Sequence, residues 1–155
     1  MNSKNRRRPF TLWVVIAAQF ILGFGSMGNG SRLFTAPDGS SMGVSVDLLA
    51  GSPFHDFRTP GILLFLVGVC LLLAAIALLV RPSWRWLQAI NPCKKYHWSW
   101  AFSLAAGAVL LVWIITEAAM AGFFSPHQPV IGAMGIVTIL LTLLPGVRSY
   151  YRSDT

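Results

Sequence analysis

Gly61 to Val80 is a run of twenty residues without a single charge, about the length a helix needs to cross the hydrocarbon of a bilayer. Three other stretches come close to it. Phe10 to Gly28 has Gln19 as its only strongly polar side chain, Trp98 to Phe124 has one charge, Glu117, and Val130 to Val147 has none. In hydrocarbon every backbone N–H and C=O must find its partner within the protein, so such stretches fold as helices. A membrane barrel would alternate polar and apolar residues, and nothing here alternates. The composition agrees: 55% of residues are hydrophobic and 11% charged, with mean hydropathy +0.63, against about 25% charge in a soluble domain. An ordinary soluble domain and a disordered chain are both excluded.

The expectation is an all-α integral membrane four-helix bundle, a single domain over residues 1–155. Its spans are about 10–28, 61–80, 98–124 and 130–147, with an outer loop at 29–60 and a second connection at 81–97. Thr59-Pro60 opens the second helix as cap and first helical residue, and Arg81-Pro82 closes it. The short connection from Ser125 to Pro129 makes the third and fourth helices antiparallel neighbours. Ser83 to Ile90 reads as a short interfacial helix ended by Asn91-Pro92, in a region crowded with Trp84, Trp86, Tyr96, Trp98 and Trp100.

Twelve Lys or Arg stand against five Asp or Glu. In a four-span arrangement Lys4, Arg6, Arg7, Arg8, Arg81, Arg85, Lys94, Lys95, Arg148 and Arg152 all fall on one side, and only Arg32 and Arg58 on the other. Basic residues flanking spans mark the cytoplasmic face. Both termini are therefore expected in the cytoplasm, with the protein in the plasma membrane and the 29–60 loop outside. The partner of this positive charge is an anionic lipid surface, not nucleic acid. The first span reads as an uncleaved anchor, since no convincing small-x-small cleavage site follows it. Cys70 and Cys93 fall at different levels and form no CxxC motif, so no thiol chemistry is expected.

The outer loop is expected to be an ordered cap. Pro37-Asp38-Gly39 is a turn, with Pro setting φ and Gly permitting positive φ. Val44 to Ala50 is apolar enough to pack on the bundle. Glu117 is the first candidate site residue, because an ionisable group in a spanning segment is costly. It stands about 28 Å from Trp98 at about 1.5 Å per residue, near the outer edge of the hydrocarbon. His55, Asp56, Arg58 and His127 gather at the same outer level, and an ion pair of Arg58 with an Asp or with Glu117 is one expected fate of that charge. Gln19, mid-membrane, either bonds across to another helix or meets a ligand. The His and carboxylate spacing matches no metal pattern, and neither a metal nor a cofactor is expected.

Pro37-Asp-Gly-Ser-Ser-Met-Gly43, Leu48-Leu49, Ser52-Pro-Phe-His-Asp56 and Pro60-Gly61 together resemble the outer loop of a group of small bacterial four-helix membrane proteins. That resemblance covers nearly the whole chain and implies the four-span layout, but transfers no activity and no catalytic residue. The layout is also loosely similar to DoxX-like proteins. The expected function is a binding or accessory subunit of a membrane complex or of a homo-oligomer. A small-solute transporter or channel subunit is an alternative, as is an exofacial enzyme acting on a lipid or quinone. No nucleophile–base motif supports the enzyme, so the reading leans away from one.

Overall fold

The computed structural model describes residues 7–122 and 127–153. Among the described residues six α-helices follow one another: α1 (Phe10–Thr35), α2 (Arg58–Val80), α3 (Arg85–Ile90), α4 (Trp98–Ala121), α5 (His127–Leu143) and α6 (Pro145–Tyr150). Three of them, α1, α2 and α4, are long and apolar enough to cross a membrane; α5 is a shorter apolar helix. α1 packs on α2 and α5, and α4 packs on α2 and α5, so these four close a ring. Their outward faces carry Ile21, Phe24, Leu66, Leu73, Val112, Ile115, Val137 and Leu140, all exposed. Such a belt is unfavourable against water and suits lipid.

The helix ends differ from the expected ones for local reasons. α1 runs seven residues past Gly28. The side chains of Ser31 and Thr35 bond back to the carbonyls of Gly28 and Ser31, at 2.8 and 2.7 Å. Gly28, the expected end, faces open space, whereas Gly30 just beyond it is a point of contact. A Cβ on Gly30 would lie 2.5 Å from the Phe65 backbone N and 2.7 Å from the Gly61 O. A Cβ on Gly68 would lie 2.7 Å from the Gly23 O. Gly23 and Gly30 on α1 thus face Gly68 and Gly61 on α2, seven residues apart on each, and the two antiparallel backbones meet there. α5 stops at Leu143 rather than running on to Val147, because Pro145 has no N–H to give and pushes Leu144 into extended backbone (φ −56°, ψ 143°).

The loop between α1 and α2 is ordered, as its apolar content implied. Gly39 takes φ +78°, and a Cβ there would strike the Val44 carbonyl. Asp38 accepts from both the hydroxyl and the N–H of Ser40, at 2.7 and 3.2 Å, and these bonds hold its carboxyl below the usual range. Single 3-10 turns at Ser40–Met42 and Val46–Leu49 follow. Leu49 and Phe57 are buried in the same core cluster as Leu22, Leu33, Leu64, Leu110, Trp113 and Ile114.

The opposite end has its own core of Leu12, Val15, Ile16, Ala75, Leu78, Trp100, Val147 and Tyr151. It is organised by carbonyls that a helix C-terminus leaves without partners. The Leu78 carbonyl would normally receive the N–H of residue 82, which is Pro; the hydroxyl of Tyr151 donates to it instead, at 2.5 Å. Arg8 donates to the Leu79 carbonyl at 2.9 Å, and the backbone N–H of Arg81, in left-handed conformation (φ 51°), closes on Ala77. In the last turn of α5, the Thr142 carbonyl takes the indole N–H of Trp100 at 2.9 Å. The N–H of His97 donates to the Tyr151 carbonyl at 2.7 Å, and Ser153 donates to Lys95. The C-terminal residues are thus built into the bundle rather than lying on its surface as an aromatic belt.

His97 caps α4, its Nδ1 accepting the N–H of Ser99. Burial first, and then the positive Arg81, hold its imidazole below the ordinary value of 6.5. A base with a depressed folded value favours the fold when neutral. The stabilisation is complete above about pH 6.5 and is lost as pH falls through that value towards the folded one. Thermal unfolding in detergent is expected to show this decline, and His97→Asn, which keeps a capping acceptor, is expected to flatten it.

Candidate functional site

The loop and α1, α2, α4 and α5 line a cavity of about 230 Å³ at the end of the bundle opposite most of the basic residues. Leu33 of α1, Leu64 of α2, Leu110 and Ile114 of α4 and Ile131 of α5 form apolar walls, and Met42, Val44, Leu49 and Phe57 from the loop close it. Every long helix contributes to it, which is why the ordered loop matters: without Leu49 and Phe57 seated in the core, the cavity has no roof.

Glu117 lines this cavity and is the only charged side chain among the described residues that does. It is partly buried, and the side chain of Gln128, on the first turn of α5, lines the cavity with it. Trp113 stands one helical turn before Glu117 on the same face of α4 and lines the cavity too. Its indole N–H is buried and has no hydrogen-bond partner among the described residues. An unpaired buried donor costs about 1–3 kcal/mol. Ser26 and Asn29 of α1 complete the polar lining.

The other candidates fall elsewhere. Gln19 is fully buried and does not line the cavity; its Nε2 donates to the Ser103 Oγ of α4 at 2.6 Å. The expectation that it bonds across to another helix is met. His55 and Arg58 are exposed, outside the cavity. Asp56 caps α2: its Oδ1 accepts the backbone N–H of Arg58 at 2.9 Å. This is a backbone hydrogen bond and not the ion pair expected of the Arg58 guanidinium. His127 opens α5, and its side chain lies outside the described residues.

Trp113, Gln128, Ser26 and Asn29 are the site residues that sequence reasoning missed. Trp113 was within reach, since a residue four before Glu117 shares its helix face. Gln128 required knowing that α5 begins before Pro129. No protein-family model, no curated protein and no solved structure matches the chain.

An apolar cavity whose described lining includes one carboxyl, one carboxamide and one unpaired indole N–H suits a molecule with an apolar body and a polar head that accepts a hydrogen bond. The described lining offers no imidazole and no thiol.

Proposed function

We propose that the chain is a four-span protein of the plasma membrane, with cytoplasmic termini, that binds one amphiphilic molecule in its outer cavity. In this reading α5 is the fourth crossing, about 26 Å long at about 1.5 Å per residue, and the ten basic residues mark the cytoplasmic face. The cavity carries the binding reading: apolar walls around a small polar set is the usual make-up of a small-molecule site. A purely structural Glu117 would leave both the cavity and the Trp113 N–H without a role. The protein is then a binding subunit, alone, as a homo-oligomer or within a larger membrane complex. A transporter fits less well, because Gln19, the polar group on α1 deeper in the bundle, is engaged with Ser103 and lines no path.

The test is ligand-linked stability. Gly25 lines the cavity, and a Cβ on it meets nothing within 4 Å, so Gly25→Phe intrudes on the cavity without striking backbone. Adding a membrane lipid extract to wild-type protein in detergent is expected to raise its thermal midpoint, by about 2.7 kcal/mol of stability at a hundredfold excess over Kd. Gly25→Phe is expected to show no such rise. Glu117→Gln is expected to stay folded and to lose most of the rise. An equal rise in all three proteins would contradict the proposal, as would a Glu117→Gln chain that no longer folds.

A further inference from the structure

A second cavity lies at the basic end, between α2, α3 and α4, and measures about 440 Å³. Leu73, Ile76, Leu87, Ile90, Phe102 and Ala105 give it an almost wholly apolar interior. α3 makes one of its walls: Leu87 and Ile90, three residues apart, share a face of that short helix. Its rim is aromatic and rigid. Trp84 stacks on Trp98 with ring centres 5.7 Å apart and planes within 5°, and the indole N–H of Trp98 is tied to the Pro82 carbonyl at 2.9 Å. The groove is therefore held open by fixed side chains, not by a loosely packed surface.

The rim is also cationic. Lys94 is exposed, and its Nζ donates to the carbonyls of Gln88 and Ala89, beside Ile90 of the groove wall. An ammonium has three protons to donate. Two are engaged, which fixes the charge at the mouth and leaves one for a further acceptor. Arg85 on the same short helix is exposed, as is Lys95. Among the described residues the acidic side chains, Asp38, Asp47, Asp56 and Glu117, all belong to the outer loop or to the last turns of α4, so none offsets this charge. Apolar interior, tryptophan rim and a fixed ammonium at the mouth match an acyl chain, its ester region and a phosphate in that order.

We propose that this groove is a binding site for one anionic phospholipid of the leaflet at the basic end, with an acyl chain between α2, α3 and α4 and its phosphate on Lys94. The site is independent of the outer cavity. The test is reconstitution in mixed micelles of phosphatidylglycerol and phosphatidylcholine, with retained lipids counted by native mass spectrometry. One phosphatidylglycerol per chain is expected to survive in preference to phosphatidylcholine. Lys94→Gln is expected to cut that preference about fivefold while still retaining lipid. Ala105→Trp, at an exposed position on the groove wall, is expected to retain neither lipid while remaining monodisperse. Arg152→Gln removes the same charge away from the groove and is expected to keep the wild-type preference. Equal retention of the two lipids by the wild type would overturn the proposal. So would unchanged retention in Ala105→Trp, or an equal loss of preference in Lys94→Gln and Arg152→Gln, which would reduce the effect to general surface charge. Should Ala105→Trp fail to fold, Leu87→Trp on the opposite wall takes its place with the same two outcomes.

Discussion

Gly30→Val is expected to abolish folded, monodisperse protein, the largest effect of any single substitution in the bundle. Adding side-chain atoms to a packed interface costs about 1–3 kcal/mol where neighbouring side chains can shift. Here they cannot, because the obstacles are backbone atoms: the Phe65 N at 2.5 Å and the Gly61 O at 2.7 Å from the new Cβ. The helices must separate, and the separation is felt at Gly23 and Gly68, where the same two backbones meet again. Gly28 on the same helix is the internal control. A Cβ there meets nothing within 4 Å, so Gly28→Ala is expected to be tolerated, or to stabilise by up to about 1 kcal/mol through helix propensity. Size-exclusion profiles and thermal midpoints in detergent distinguish the pair. Similar behaviour of the two variants would refute close α1–α2 packing.

Tyr151→Ala is expected to have the second largest effect, about 3–5 kcal/mol, the range for removing a buried aromatic side chain. Tyr151 is fully buried among Leu78, Val147 and Trp100, and Arg81 lies over its ring at 5.0 Å. Burial pushes its hydroxyl well above the ordinary phenol value, so it stays a proton donor to Leu78 across the accessible pH range. Tyr151→Phe keeps the packing and removes that donor. Its expected cost is about 1–3 kcal/mol, because Pro82 cannot satisfy the Leu78 carbonyl in its place. Chemical denaturation of the two variants separates packing from hydrogen bonding. A Tyr151→Phe variant as stable as wild type would mean that the Leu78 carbonyl finds another partner.

The parts of the fold that could be read from sequence are those set by one segment alone. Charge-free runs identify the long helices because hydrocarbon allows no other backbone solution. Apolar residues within the outer loop signal an ordered cap because Leu49 and Phe57 have nowhere else to be buried. Glu117 stands out because a charge in an apolar run is expensive wherever it sits. What escaped was set by partners. Glycines at 23, 28 and 30 look alike in sequence, yet Gly30 faces a backbone and Gly28 faces open space. Gly132 and Gly135 meet Ile114 and Leu111 of α4, whereas Gly122 has nothing within 4 Å. Tyr150 and Tyr151 are alike in sequence, and only the Leu78 carbonyl, which Pro82 cannot serve, explains why the second is drawn inside. The cavity was least visible of all, since its walls come from four helices and two separate turns of the loop, and no local pattern encodes a space.

Native mass spectrometry of the intact chain, released directly from its own membrane, addresses the outer cavity most directly. The binding account predicts one added small-molecule mass per chain in the wild type, absent from Gly25→Phe and much reduced in Glu117→Gln. A wild-type spectrum without that mass, or the same mass on Gly25→Phe, would contradict it.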